Sequence, residues 1–317
     1  MTPMMTKPDD CSLDPIELRI IEKRAKELLG RASAWERFPT PIEDILAAAR
    51  LKVASHGIFD ASQIIAFARK VARGGAQLIM KAISKVRGLY DAAERIIHID
   101  DKVIQVKQNF LTLHETGHHE IPAHRKIFRF FEDCEKTLAP ETAELFNREA
   151  NNFARYVLFQ GDTFAKLAAD CPLKITTPMK LGKKFGASNY AAAREFARTN
   201  HRACVVYILE PIQYVCGSGA QADVRRIAAS PSFIEKFGEP RDTVIKPDHK
   251  LGSVLPVGRK MSGPRSLSIV DLNGTRHECV AEAFDTTYNI LILLFPVRAL
   301  TSSIIILPSR FKKNLVK

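Results

Sequence analysis

The stretch Leu111-Thr-Leu-His-Glu-Thr-Gly-His118 limits what this chain can fold into more than any other, because it sets two imidazoles and a carboxylate within five residues, behind an apolar-rich lead from Val103 to Leu113. In a helix, residues four apart leave the same face one turn apart, so His114 and His118 would reach one metal ion together. Glu115 points beside such an ion rather than at it, where a carboxylate can take a proton from water. Gly117 keeps the space between the histidines narrow, as a helix packed against another backbone requires. Burying these polar groups is costly unless something binds them. The segment therefore predicts a buried helix built around a metal.

His-Glu-x-x-His is the zincin pattern, and its two histidines are half a ligand set. A helix predicted over about 141–159 carries Leu145, Phe146, Phe153 and Tyr156 within about sixty degrees of Glu149, at about a hundred degrees per residue. A carboxylate on so apolar a face needs a strong partner, which makes Glu149 the expected third ligand. His124 is the rival, ten residues after His114 as in metzincins, but that pattern has a glycine where Ile121 stands. His119 is expected at the surface or behind a ligand. Tyr156 shares the Glu149 face, where core packing is the commoner role and a hydrogen bond to the reacting group the rarer one.

Composition narrows the class. The chain has 317 residues, 46% hydrophobic and 26% charged, enough for more than one domain with its own core. Its formal charge of +12 suits nucleic acid or an acidic protein as partner, or a solvated basic surface. The six cysteines form no Cys-x-x-Cys pair, which points to reduced thiols and a cytoplasmic setting. The first ten residues have no apolar core, so no signal peptide is expected. Ile290 to Leu307 is mostly apolar, but Pro296, Arg298 and Thr301-Ser302-Ser303 divide it into two runs, 290–295 and 304–307, that suit buried strands better than a membrane span.

Around the motif the pattern predicts a helix opened by Asp14 as cap and Pro15, with Ile16, Ile20, Ala25, Leu28 and Leu29 as its apolar side. A second helix bears Ile42, Ile45, Leu46 and Ala49 and leads to a strand at 51–53. A helical, basic stretch follows over 61–87, a candidate docking surface. Segments 95–100 and 103–106 alternate like strands, and one of them is expected to be the edge that holds a substrate backbone.

His-Glu-Thr-Gly-His at 114–118, Arg-Glu-Ala-Asn-Asn-Phe-Ala at 148–154 and Phe-Pro-Thr-Pro-Ile-Glu-Asp-Ile at 38–45 resemble the ImmA/IrrE family of regulatory metallopeptidases, over roughly residues 15–165. The resemblance implies a gluzincin-like fold, His114, His118 and Glu149 as ligands of zinc (or manganese), and Glu115 as general base. It also implies a helix-turn-helix transcriptional repressor as the protein that is cut. Thr116 departs from the aliphatic or aromatic residue usual in the family.

Residues 178–184, 185–188 and 189–199 read as helix, tight turn, helix, with seven basic side chains between 171 and 204 against Glu195. This is similar to the helical module of the radiation-response members, and DNA contact, protein docking and plain structure all remain open for it. Beyond it, a strand at 205–209, a helix at 222–237, a hairpin of 266–272 with 275–284 across Asn273-Gly274, and the strands 290–295 and 304–307 predict an α+β domain. Its place in the chain is that of a GAF-like sensor in those members. The expected division is thus a zincin-like peptidase domain at 12–165, a helix-turn-helix-like module at 166–204 and an α+β domain at 205–317. The expected activity is that of a metallo-endopeptidase. The alternative is a DNA-binding regulator, antitoxin or phage-defence component with a vestigial peptidase half.

Overall fold

The computed structural model describes residues 11–54, 88–91, 94–99, 102–125, 140–217 and 219–298. The basic stretch 61–87 and the strand expected at 304–307 lie outside them. The fold is α+β and divides into two compact units, one of residues 1–166 with 180–188, the other of 167–179 with 189–317. Among the described residues no helix is long and apolar enough to cross a membrane.

In the first unit, α1 (Pro15–Arg31) starts as expected, with Asp14 accepting from the Ile16 amide at 2.8 Å and Pro15 in the first turn. Its buried stripe differs from the one predicted. Ile21, Ala25, Leu28 and Leu29 are covered, while Ile16 and Ile20 are 63% and 56% exposed. The i, i+4, i+7, i+8 series from Ile21 makes a complete face without them. α2 (Ile42–Ala49) buries Ile45, Leu46 and Ala49 and stops at Arg50 in a left-handed conformation.

β1 (Lys52–Val53), β2 (Gly88–Asp91) and β3 (Ile96–Ile99) form a three-stranded sheet in the order β1-β3-β2, with β3 parallel to β1 and antiparallel to β2. Neither segment expected as the substrate-holding edge has that position. β3 is paired on both sides, and 103–106 is not a strand but the entry to α3 (Gln105–Glu120). Ile104 accepts from the amides of Lys107 and Gln108, and the Gln108 side chain donates to the Val103 carbonyl at 2.7 Å, so the two-residue alternation there gives way to a helical start. Among the described residues the outer strands are β1 and β2.

α3 lies along α4 (Pro140–Leu158). A methyl group added at Gly117 would stand 3.2 Å from Phe153 Cδ1 and 3.3 Å from Ala150 Cα, the close backbone approach that a glycine in the motif predicted. α5 (Thr163–Ala169) follows. The end of α6 (Thr176–Phe185) belongs to this unit, where Phe185 meets the rings of Phe38, Phe164 and Phe159 at 4.9, 5.4 and 5.9 Å.

The second unit is built on a seven-stranded antiparallel sheet. It comprises β4 (Val205–Leu209), β5 (Gln213–Val215), β6 (Gly219–Ala229), β7 (Val244–Ile245), β8 (Met261–Val270), β9 (Arg276–Asp285) and β10 (Ile290–Pro296), in the order β5-β6-β4-β10-β9-β8 with β7 on β6. α7 (Asn189–Thr199) packs on β4 and β6. The helix expected over 222–237 is two elements: its first part is strand β6, and only Pro231–Phe237 is helical, as α8. β4 is buried along its whole length and needs a partner on each side. β10 supplies one and β6 the other, so pairing overrides the helical preference of its alanines and arginines. The predicted hairpin is present, with a first strand longer than expected, a second shifted by one residue, and a wider turn: Val270 pairs with Arg276, and Gly274 takes φ +80°.

Candidate metal centre

α3 brings His114 and His118 to one point. Their Nε2 atoms are 3.2 Å apart, and Glu115 between them in sequence is buried at 7% exposure. Behind the first ring, His114 Nδ1 donates to Asn151 Oδ1 on α4 at 3.0 Å. That donation leaves His114 Nε2 with a lone pair, as a metal ligand requires.

The second ring is held by a residue that the sequence offered only as a rival ligand. Ile121 ends α3 in an extended conformation (φ −83°, ψ 114°), which Pro122 favours in the residue before it. The chain then makes a helical turn over 122–125 and returns His124, fully buried, to His118, with their Nδ1 atoms 3.0 Å apart. No glycine is needed at 121 for this return, which is why its lack did not keep His124 away. His124 Nε2 meets Glu149 Oε2 at 2.5 Å, and its ring stacks on Phe146 with centroids 3.9 Å apart.

Glu149 thus joins the histidine pair through His124. Among the described residues no three His, Cys, Asp or Glu side chains are grouped so as to hold a metal ion; the carboxylate expected as third donor rests on His124 by one oxygen. The donor types are those zinc takes: two imidazole nitrogens 3.2 Å apart, with a carboxylate hydrogen-bonded to the next ring.

Burial governs the protonation of the site. It pushes the His114 imidazole down to about 4, with the Asn151 hydrogen bond opposing and His124 adding to the effect. His118 is driven well below its ordinary value by burial, then by His114 and His124. Both rings are therefore neutral at physiological pH. Burial pushes the Glu115 carboxyl up to about 8, so it is poised to hold a proton near neutrality, and a neighbouring cation would favour its ionised form.

Two further histidines and Tyr156 make other contacts. His119 is buried rather than at the surface, with Tyr90 of β2 on its Nδ1 at 2.5 Å. His98 sits in β3, buried at 8% exposure. Tyr156 lies against Gly161, where an added methyl would come within 2.8 Å of its hydroxyl, and Asp162 and Glu22 are among the charges acting on it. It is a packing residue at the far end of α4. Helical periodicity gives Asn151 no role, because it lies about 200° round the helix from Glu149, on another stripe.

Residues 78–196, which contain this whole cluster, match the model of the peptidase M78 family described as IrrE N-terminal-like domain. No curated protein gives a significant match. Among the solved structures, a Mycobacterium tuberculosis transcriptional regulator is similar over 87% of this chain and 75% of its own, at 11% identity and a TM-score of 0.49.

Proposed function

We propose that this chain, which carries an IrrE N-terminal-like domain of the M78 peptidases, is a metal-dependent endopeptidase acting on a partner regulatory protein. The observation that carries it is the meeting of His114 Nε2 and His118 Nε2 at 3.2 Å, with the buried Glu115 between them in sequence, inside that domain. His114, His118 and Glu149 would hold the metal, through two nitrogens and the Glu149 oxygen that His124 leaves unengaged. A zinc ion, or manganese in the same set, supplies Lewis acidity and a water of lowered pKa there. Glu115 takes the proton of the attacking water and delivers it to the departing amine. Asn151 keeps His114 turned with Nε2 toward the reacting centre.

The substrate class follows from the resemblance noted in the sequence: a transcriptional repressor of the helix-turn-helix type, cut in the cytoplasm. Elemental analysis of the purified full chain and its His114→Ala variant tests the metal. Stoichiometric zinc or manganese that is lost on substitution is expected, and its retention would sink the assignment. Co-expression with a helix-turn-helix repressor encoded beside it tests the activity, since cleavage should occur with the parent and fail with Glu115→Gln.

A further inference from the structure

We propose that the outer edge of β8 is a homodimer interface, where Arg265 to Val270 pair antiparallel with the same residues of a second copy of this chain, about a two-fold axis at Ser268. β8 is an outer strand of the seven-stranded sheet, and among the described residues it pairs with β9 alone. Such an edge presents unpaired N–H and C=O groups, and proteins usually guard it by shortness, charge, proline or a bulge. The outer strand at the other side, β5, is guarded by its length of three residues. β8 has ten, and its guards stand only at its start, where the register shifts between Ser262 and Arg265 and Pro264 has no N–H to offer. Beyond its other end the Leu272 amide is already taken, by the Lys236 carbonyl at 3.0 Å. Between these limits Ser266-Leu267-Ser268-Ile269-Val270 has neither charge nor proline.

The phase of the β8–β9 ladder sets the register of this pairing. The Asp271 amide donates to the Thr275 carbonyl at 2.9 Å, so Asp271, Ile269 and Leu267 turn their backbone groups to β9, and Val270, Ser268 and Ser266 turn theirs outward. An axis at Ser268 engages all three: Ser268 meets Ser268, and Ser266 meets Val270 on each side, each pair exchanging both of its bonds. Any other centre sets one of them against Pro264 or against the occupied Leu272. The side chains agree with that axis. Leu267 falls opposite Ile269 of the second copy, which continues the apolar cluster these two residues border. Val270, 51% exposed, gains Ser266 as a neighbour, and Arg265 falls opposite Asp271, a charge of opposite sign. No like charges face each other, which is what favours a second copy as the occupant.

Light scattering of the full chain, read across a concentration series, should rise toward twice the 35.4 kDa of one chain. A parent that stays monomeric up to its solubility limit overturns the proposal, whether the edge is then bare or takes a strand of another protein. Ser268 is exposed, so Ser268→Lys and Ser268→Glu leave the fold of one copy alone and set like charges against each other on the axis. Each should raise the dissociation constant about tenfold or more, and an equimolar mixture of the two should associate again, because Lys then meets Glu. Dimers kept by both variants would place the interface elsewhere. Two monomeric variants whose mixture fails to associate would remove the axis at Ser268. If circular dichroism shows either variant unfolded, Ser268→Cys decides: a short bifunctional thiol reagent should join two copies through position 268, at the roughly 5.5 Å between Cα atoms of a hydrogen-bonded pair. No such link in peptide mass spectrometry overturns the pairing.

Discussion

Glu115 owes its chemistry to where it is buried rather than to its neighbours, because burial is what pushes its carboxyl up to about 8. The sign for stability follows. A carboxyl raised in the folded protein binds more protons there than in the unfolded chain, so its contribution falls as pH rises from the ordinary carboxyl range toward the raised value. With metal chelated, Glu115→Gln should melt above the parent by a margin that widens between about pH 5 and about pH 8. A margin that is flat in differential scanning calorimetry would count against that burial. In the loaded protein the same substitution should leave metal content unchanged and reduce cleavage by about 10²–10⁴-fold, the usual worth of a general base. Asn151 and His124 belong to the same scale. Spacing gives Asn151 no role, since it lies off the Glu149 stripe, and offers His124 only as a rival ligand, since that ring reaches His118 only after the chain reverses at Ile121-Pro122.

The helices owe their placement to a few small residues at their contacts and caps. At Gly117 a side chain would press on Phe153 Cδ1 and on the Ala150 backbone, and the backbone cannot give way as a side-chain tip can. Gly117→Ala should therefore lose about 1–3 kcal/mol by overpacking, against a gain of about 1 kcal/mol in helix propensity. Chemical denaturation would read a net destabilisation, and a stabilised variant would mean that α3 and α4 do not meet there. In the second unit, Ser230 accepts from the Phe233 amide at 3.2 Å as the cap of α8 and from the Cys204 amide at 3.0 Å. Ser230→Ala strips two buried amides of one acceptor and should cost about 2 kcal/mol, toward the top of the range for caps. The strand-to-helix change at Ser230 was hidden from the sequence because Ala222 to Ala229 has helical composition, and only pairing with β4 makes it a strand.

Across the whole molecule the two units answer to different conditions. The second depends on Asp271, whose Oδ2 accepts from His277 Nε2 at 2.8 Å and Lys236 Nζ at 2.9 Å, while Oδ1 accepts from the Asn273 and Thr275 amides. The His277 hydrogen bond, then the Lys236 one, hold its carboxyl well below the ordinary value. A lowered carboxyl stabilises above the unfolded pKa, and that stability is lost as pH falls through the folded one. Asp271→Asn should thus melt lower than the parent at neutral pH, and the two curves should converge as pH falls below about 4. Metal content should not change, because Asp271 belongs to the other unit. A gap that persists in acid would remove Asp271 as the source.

Helical repeat alone brought His114, Glu115 and His118 together, because residues four apart on a helix are neighbours whatever surrounds them. The Asp14 cap, the close approach at Gly117 and the hairpin at Asn273-Gly274 were legible for the same reason: each depends on backbone geometry within a few residues. Which ring meets His118, which strands are outer ones among the described residues and which face of α1 is covered were settled only by tertiary contacts. Those depend on segments far apart in the chain competing to bury the same surface and to satisfy the same polar atoms, and no local pattern records the outcome of that competition.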